Sequence, residues 1–327
     1  MMTVRDILAK SHAALRRARL SYGHGTENAW DEAVYLVTYG LGLDPGRLDS
    51  TLDRTVDAPA VRRVERLIAK RIELRVPAAY LTREAWLGDL RFYVDARVIV
   101  PRSFIAELLR EQLRPWIRSP RSIRRALDLC TGSGCLAVML ARAFTRAQIV
   151  ATDISAPALA VARHNVKAYG LSTRVQLKRA DLFSGLPAGR YNLIVSNPPY
   201  VAARAMRALP PEHRSEPQVA LAGGRDGFDA VRVILEQAAA HLERNGLLVV
   251  EIGHHRAELE RALPYFAFVW LDTSAGDDCV FMLGRDDLLA GLERATRARK
   301  RMPEANDRAT RAGVSSRRRS ALDTGRA

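Results

Sequence analysis

Ala126-Leu127-Asp128-Leu129-Cys130-Thr131-Gly132-Ser133-Gly134 leads from a short apolar run through a glycine loop into the apolar stretch Cys135–Phe144. A strand over Ala126–Cys130 that turns through glycines into a helix is a ligand-binding unit of parallel sheets, because glycines let the backbone approach a ligand at the strand's carboxyl end. Outward from this loop, strands are predicted at Gln148–Thr152, Arg174–Lys178, Tyr191–Ser196, Gly246–Ile252, Phe266–Leu271 and Cys279–Leu283. Helices are predicted at Cys135–Phe144, Pro157–Tyr169, Gly227–His241 and Arg256–Leu263. Short β-branched strands alternating with longer helices predict an α/β fold, a doubly wound, mostly parallel, seven-stranded, Rossmann-like sheet. Only the turn Ser274–Asp278 separates the last two strands, so they are expected as an antiparallel pair at one edge.

Upstream, Val4–Leu20, Asn28–Leu41 and Pro59–Leu74 carry apolar residues at three- and four-residue steps, the period of helices with one buried face. Ser21–Gly25 and Asp44-Pro45-Gly46 interrupt them as turns. Glu84–Val94 reads as a hairpin with Gly88-Asp89 at its tip, and Ser103 as the N-cap of a helix reaching Leu113. The expected organisation is a small helical domain over 1–83, a hairpin and connecting helix over 84–120, the sheet domain over 121–286 and a tail over 287–327.

The 327 residues are 48% hydrophobic and 27% charged, which excludes a disordered or collagen-like chain. No apolar run approaches the roughly 20 residues that span a bilayer, and Met1–Lys10 holds no signal-peptide core. A cytoplasmic protein without membrane contact is expected. Cys130, Cys135 and Cys279 have no C-x-x-C spacing, so neither a disulfide framework nor a zinc ribbon nor any other metal site is expected. The net charge of +15 points to a polyanionic partner. Yet only five of the 51 basic residues are lysine, a skew that genome base composition produces unaided. Eleven basic residues against Glu304, Asp307 and Asp323 lie between Arg294 and Ala327. That tail is poor in large apolar residues and is expected to be disordered. Its charge fits either a non-specific ribosome or nucleic-acid contact or compositional drift.

Asp153 closes the second predicted strand, 19 positions beyond Gly134, where a carboxylate accepts hydrogen bonds from the hydroxyls of an adenosine ribose. A nicotinamide enzyme would show the same two features. Asp181, in Ala180-Asp181-Leu182-Phe183, follows the third strand, placed to take an adenine amine while Phe183 packs on the base. Asp128 would face an amino group or a sulfonium centre. A carboxylate beside a cationic ligand favours S-adenosyl-L-methionine over a pyrophosphate. Cofactor contacts are therefore expected at Asp128, Thr131, Gly132, Gly134, Asp153, Asp181, Phe183 and Asn197.

Val195-Ser196-Asn197-Pro198-Pro199-Tyr200 ends the fourth strand, beside the switch point where such sheets bind ligands. An amide or aromatic amine is a poor nucleophile because its lone pair is delocalised. The side-chain carbonyl of Asn197 and the backbone carbonyl of Pro198 can each accept one N–H, orienting the nitrogen for in-line attack on a methyl carbon. Two prolines stiffen the loop, and Tyr200 offers an aromatic face to developing positive charge. Asn197, Pro198 and Tyr200 are the expected catalytic residues, and Asn197, Pro198, Pro199 and Tyr200 the expected substrate contacts.

With Asp128–Gly134, Asp153, Asp181–Phe183 and Asn197–Tyr200 in place, the chain resembles the HemK-like protein-(glutamine-N(5)) methyltransferases over roughly residues 4 to 285. The resemblance implies a class I S-adenosyl-methionine-dependent methyltransferase fold and methylation of a glutamine side-chain amide on a release factor or a ribosomal protein. Gly23–Ala33, Pro77–Thr82 leading into Glu84-Ala85-Trp86, and Val100-Pro101-Arg102-Ser103 with Ile105–Leu108 are similar to the ribosomal branch, whose target is large-subunit ribosomal protein number three (L-three). The release-factor branch has Arg-Pro followed by an acidic residue and Thr-Glu instead. Phe104, Arg83 and Gly276–Cys279 depart from the branch pattern, none of them within the ligand loops.

Two rival readings are the same chemistry on release factors and adenine N(6)-methylation of nucleic acid, since adenine's amine poses the same problem. The second lacks any inserted target-recognition region or basic stretch interleaved with aromatics. Elsewhere, His254-His255 is expected as a solvated pair, Cys130 and Cys135 as packing residues, and Trp30 and Trp86 as core or inter-domain packing. Glu107 reads equally as a wall of the donor pocket or an exposed carboxylate, and Gly253 as a simple turn.

Overall fold

The computed structural model describes residues 1–186 and 189–301. Strand β1 (Met2–Thr3) and helices α1 (Val4–Arg17) and α2 (Ala29–Leu41) open the chain, followed by β2 (Thr55–Val56), α3 (Ala58–Leu74) and α4 (Ala78–Thr82). α1 starts on a capping box in which Thr3 and Asp6 each accept the other's backbone N–H. Asn28 and Asp57 cap α2 and α3 by the same chemistry, a side-chain oxygen meeting otherwise unpaired first-turn donors. Val4, Ile7, Leu15, Leu36, Val37 and Val64 are buried together from the inner faces of α1, α2 and α3, in a core separate from the sheet's.

β3 (Glu84–Leu87) and β4 (Leu90–Tyr93) form the hairpin, with Ala85 and Phe92 paired and buried. α5 covers only Ile105–Arg110, and Phe104 occupies its N-cap. Ser103 does not cap it because its hydroxyl donates to Glu251, far along the chain, at 2.5 Å.

The sheet portion runs β5 (Arg125–Leu129), α6 (Cys135–Ala143), β6 (Gln148–Asp153), α7 (Ala156–Ala168), β7 (Val175–Arg179), β8 (Tyr191–Ser196), α8 (Ala203–Met206), α9 (Asp229–His241), β9 (Leu242–Glu251), α10 (Arg256–Ala262), β10 (Val269–Thr273), β11 (Gly276–Gly284) and α11 (Arg285–Arg301). Its seven strands stand in the order β10-β11-β9-β8-β5-β6-β7. β10 and β11 pair antiparallel at one edge, β11 runs antiparallel to β9, and the remaining pairs are parallel. α5 and α6 cover one face, while α9, α10 and α11 cover the other.

From β5 the chain builds β6 and β7 on one side, then returns to lay β8 on the other. Such a reversal opens a crevice at the strands' carboxyl ends. Leu129 is in register with both Thr152 and Ser196. The next residues along the three strands, Cys130, Asp153 and Asn197, therefore meet at one point on the sheet's rim.

The expected disordered tail is corrected over 287–301, which continue α11. Leu288 is buried in the second face's core. Arg285 Nε donates to the Ala239 carbonyl at 3.1 Å and Arg294 Nε to that of Tyr265 at 2.8 Å. Sparse apolar residues still hold a helix when its carbon anchor and long arginine stems fold onto the sheet layer. The rest of the expected tail lies outside the described residues. Among the described residues, no helix is long and apolar enough to cross a membrane.

Candidate active site

A cleft of about 350 Å³ opens at the switch point, lined among others by Cys130, Gly132, Asp153, Asp181, Leu182 and Asn197. Gly132 takes a φ of +54°, and a Cβ there would project into open space within the loop. Asp153 accepts the Gly132 N–H at 2.9 Å and the Ser155 N–H at 2.8 Å, which fixes its carboxylate at the rim. Each oxygen keeps a further lone pair for a hydroxyl donor. Burial raises the Asp153 carboxyl above its usual range, and these two backbone donors oppose the shift. Val98, Ile99, Ile154, Leu182 and Val233 supply apolar walls. A glycine cradle, a rim carboxylate, Asp181 and an apolar slot together fit the adenosine part of S-adenosyl-L-methionine.

A second, smaller cavity of about 160 Å³ is lined by Arg102, Pro198, Tyr200, Val201, Leu209, His213 and Leu221. Ile99, Asn197 and Ala220 line both cavities, so the two meet at the Asn197 side chain. Asn197 Nδ2 donates to the Arg102 carbonyl at 3.2 Å and to Glu251 Oε1 at 3.2 Å. Among the described residues, no donor reaches its Oδ1. Tyr200 rests on Gly253: a Cβ at that glycine would stand 3.1 Å from Tyr200 Cε2. Burial pushes the Tyr200 hydroxyl up to about 12, so it is neutral at physiological pH.

Four residues expected at the donor do not line the cleft. Asp128 is completely buried on the α6 side of β5, and Thr131 Oγ1 donates to it at 2.5 Å. Strand alternation decides this: Leu127 and Leu129 face one layer and Asp128 the other. Burial raises its carboxyl to about 7. Thr131 thus clips Asp128 in place. Gly134 lets α6 approach α7, since a Cβ there would lie 3.0 Å from that of Ala162. Phe183 is buried in the core and stacks on His241 at 4.6 Å between ring centroids. Leu182, with a φ of +49°, presents its side chain to the cleft instead. Pro199 lines the larger cleft and Pro198 the smaller cavity.

Other expectations shift as well. Cys130 adopts a φ of +59° and lines the cleft, whereas Cys135 is core. His254 is exposed and pairs with Asp278 at 2.9 Å, but His255 is half-buried with its edge toward Tyr200. Trp30 and Trp86 are both about half exposed, at 48% and 52%. Glu107 takes neither expected role: its carboxylate accepts the Ser274 hydroxyl and N–H, holding the turn between β10 and β11.

Sequence reasoning missed Glu251, Glu216 and Glu212. The signal for Glu251 was a carboxylate inside the apolar run Leu247–Ile252. Glu216 accepts both guanidinium nitrogens of Arg102, at 2.6 and 2.8 Å, and the Val100 N–H at 2.9 Å. Glu212 meets Arg75 at 2.7 Å and the fully buried Arg71 at 3.6 Å, while Arg71 also pairs with Glu32 at 2.7 Å. These contacts tie the segment after Tyr200, which walls the smaller cavity, to α2 and α3. His24 and His213 lie against Glu216 within coordination spacing of one another. However, Arg102 engages both Glu216 oxygens, and its positive charge opposes a cation there.

Residues 106–209 match the family model described as Methyltransferase small domain. A ribosomal protein uL3 glutamine methyltransferase of Bordetella pertussis is 53% identical over 88% of this chain and 97% of its own length. The protein of that name from Neisseria gonorrhoeae is 51% identical over 88% and 96%. Among solved structures, a methyltransferase from Pyrococcus furiosus superposes with a TM-score of 0.45 at 17% identity, over 68% of this chain and 98% of that one. Identity above one half, sustained across nearly the whole length of these relatives, places the chain in the family of ribosomal protein uL3 glutamine methyltransferases.

Proposed function

We propose that this chain, acting in the cytoplasm, methylates the side-chain amide nitrogen of one glutamine in ribosomal protein uL3, with S-adenosyl-L-methionine as methyl donor. The observation that carries this reading is the junction of the two cavities at Asn197. Its Nδ2 is held from behind, and its Oδ1 is left for the acceptor. When bound, the donor supplies an electrophilic methyl carbon on a sulfonium. Asn197 Oδ1 and the Pro198 carbonyl each accept one N–H of the glutamine amide, which turns the nitrogen toward the larger cleft. Their pull on the two hydrogens favours pyramidal nitrogen and so recovers part of the delocalised lone pair. Tyr200, neutral and stacked on Gly253, closes the acceptor side. The N–C bond would form as the methyl–sulfur bond breaks, with that electron pair staying on sulfur as a neutral thioether, and the surplus amide proton passes to water.

Transfer of label from radiolabelled S-adenosyl-L-methionine tests the reading with three purified acceptors: free uL3, a class-one release factor and a short nucleic-acid duplex. Mass spectrometry then locates the label. Label on one glutamine of uL3 is the expected result. Label on the release factor alone keeps the chemistry and overturns the substrate. Label on adenine overturns both.

A further inference from the structure

We infer that Glu251, held by Ser103, is a positioning residue that fixes the orientation of the Asn197 amide. The inference rests on the amide-methylation reading and deepens it. Glu251 ends β9, in register with Val280 of β11, and is only 2% exposed. Its Oε2 accepts the Ser103 hydroxyl at 2.5 Å, and its Oε1 accepts Asn197 Nδ2 at 3.2 Å.

The second partner of Nδ2 is the Arg102 carbonyl, also at 3.2 Å. A carbonyl has no hydrogen to give, and an ionised carboxylate has none either. If the Asn197 amide rotated by half a turn, Oδ1 would face two acceptors in a buried corner. The pair thus selects one of two otherwise similar side-chain orientations, the one that leaves Oδ1 for the acceptor. Hydrogen bonding of Nδ2 to a carboxylate also polarises the amide and makes Oδ1 a stronger acceptor. Burial raises the Glu251 carboxyl to about 7. Even when protonated, it can give its proton to Ser103 and still accept from Asn197 through the other oxygen. Glutamine keeps the oxygen that accepts from Asn197, though its amide nitrogen cannot accept the Ile105 N–H that Oε2 receives at 3.4 Å, and alanine keeps neither contact.

Three variants and three readouts test this. Glu251→Ala should lower kcat about 100-fold, the range seen when one positioned hydrogen bond is lost, with donor Kd unchanged within about twofold. Glu251→Gln should stay within about fivefold of the wild-type kcat. Ser103→Ala, which loosens Glu251 without opening a cavity at the strand end, should fall between them and covers the case in which Glu251→Ala fails to fold. An acceptor-independent readout is the side-chain amide ¹⁵N–¹H pair of Asn197, assigned by its loss in Asn197→Asp. Its two protons should be distinct and protected from exchange in the wild type and Glu251→Gln, and exchange faster in Glu251→Ala and Ser103→Ala. Unchanged protection and kcat in both of these variants overturn the inference. So does a loss of donor affinity that parallels the loss of kcat, or a Gln variant as impaired as the Ala variant. If the wild type methylates no acceptor, the functional reading fails, while the amide resonances still decide the role of Glu251.

Discussion

Arg102 clasps Glu216 through two parallel hydrogen bonds of 2.6 and 2.8 Å, with the Glu216 side chain sealed from solvent. Burial alone would raise that carboxyl, but the Arg102 bonds bring it down to about 2, against an ordinary 4.5. A depressed folded-state value means that the pair stabilises the fold above pH 4.5 and that this contribution is lost as pH falls toward 2. Glu216→Gln leaves Arg102 without its counter-charge and should cost about 3 kcal/mol at pH 7. Urea denaturation should show that deficit shrinking at pH 3.

Asn197→Ala should reduce methyl transfer at least about 100-fold while donor Kd changes by no more than a few-fold. Calorimetric titration with S-adenosyl-L-methionine beside a labelled-methyl assay makes the comparison. A collapse of donor affinity would make Asn197 a donor residue and end the amide-grip account.

Asp128 gives a pH effect of the opposite sign to Glu216. Burial raises its carboxyl from 3.8 to about 7, so the neutral form stabilises the fold fully below 3.8. That contribution is lost as pH rises through 7. Burial lowers His213 and His241, and they contribute the reverse slope, so the useful quantity is a difference between variants. The Tm of Asp128→Asn should gain on that of the wild type as pH rises from 4 to 7 and stay ahead by a few degrees at pH 8.

Gly253→Ala places a methyl 3.1 Å from the Tyr200 ring at a backbone φ of +60°. The residue must either strain its backbone, at about 1 kcal/mol, or push Tyr200 into the acceptor cavity. Turnover should fall about tenfold with donor affinity retained. An unchanged kcat would remove Tyr200 from the acceptor wall.

The sheet was legible because its strands and helices carry different apolar periods, and because the turn Ser274–Asp278 is too short for a crossover. Asn197, Pro198 and Tyr200 stand together in the sequence as a local motif, and in the fold all three line the smaller cavity. The burial of Asp128 and Phe183 was not legible, because motif spacing fixes a position along a strand or loop but not the side of the sheet a side chain faces. Leu182, with a left-handed backbone that spacing does not reveal, lines the cleft where Phe183 does not. Glu216 and Glu212 could not be read at all, since their meaning lies with Arg102, Arg71 and Arg75, more than a hundred residues away. The helical content of 287–301 was hidden by its charge.

The ion pairs of Glu212 bear on how portable this catalyst is. Its carboxylate, on the segment that lines the smaller cavity through Leu209 and His213, is answered by Arg71 and Arg75 of the N-terminal portion, and Arg71 is itself answered by Glu32. Neither portion is charge-complete alone at this seam: excising the N-terminal helices strands a carboxylate beside the cavity, and grafting them elsewhere strands a buried guanidinium. A chimera that exchanges the helices between relatives to redirect acceptor choice must therefore carry Glu32, Arg71, Arg75 and Glu212 across as one unit.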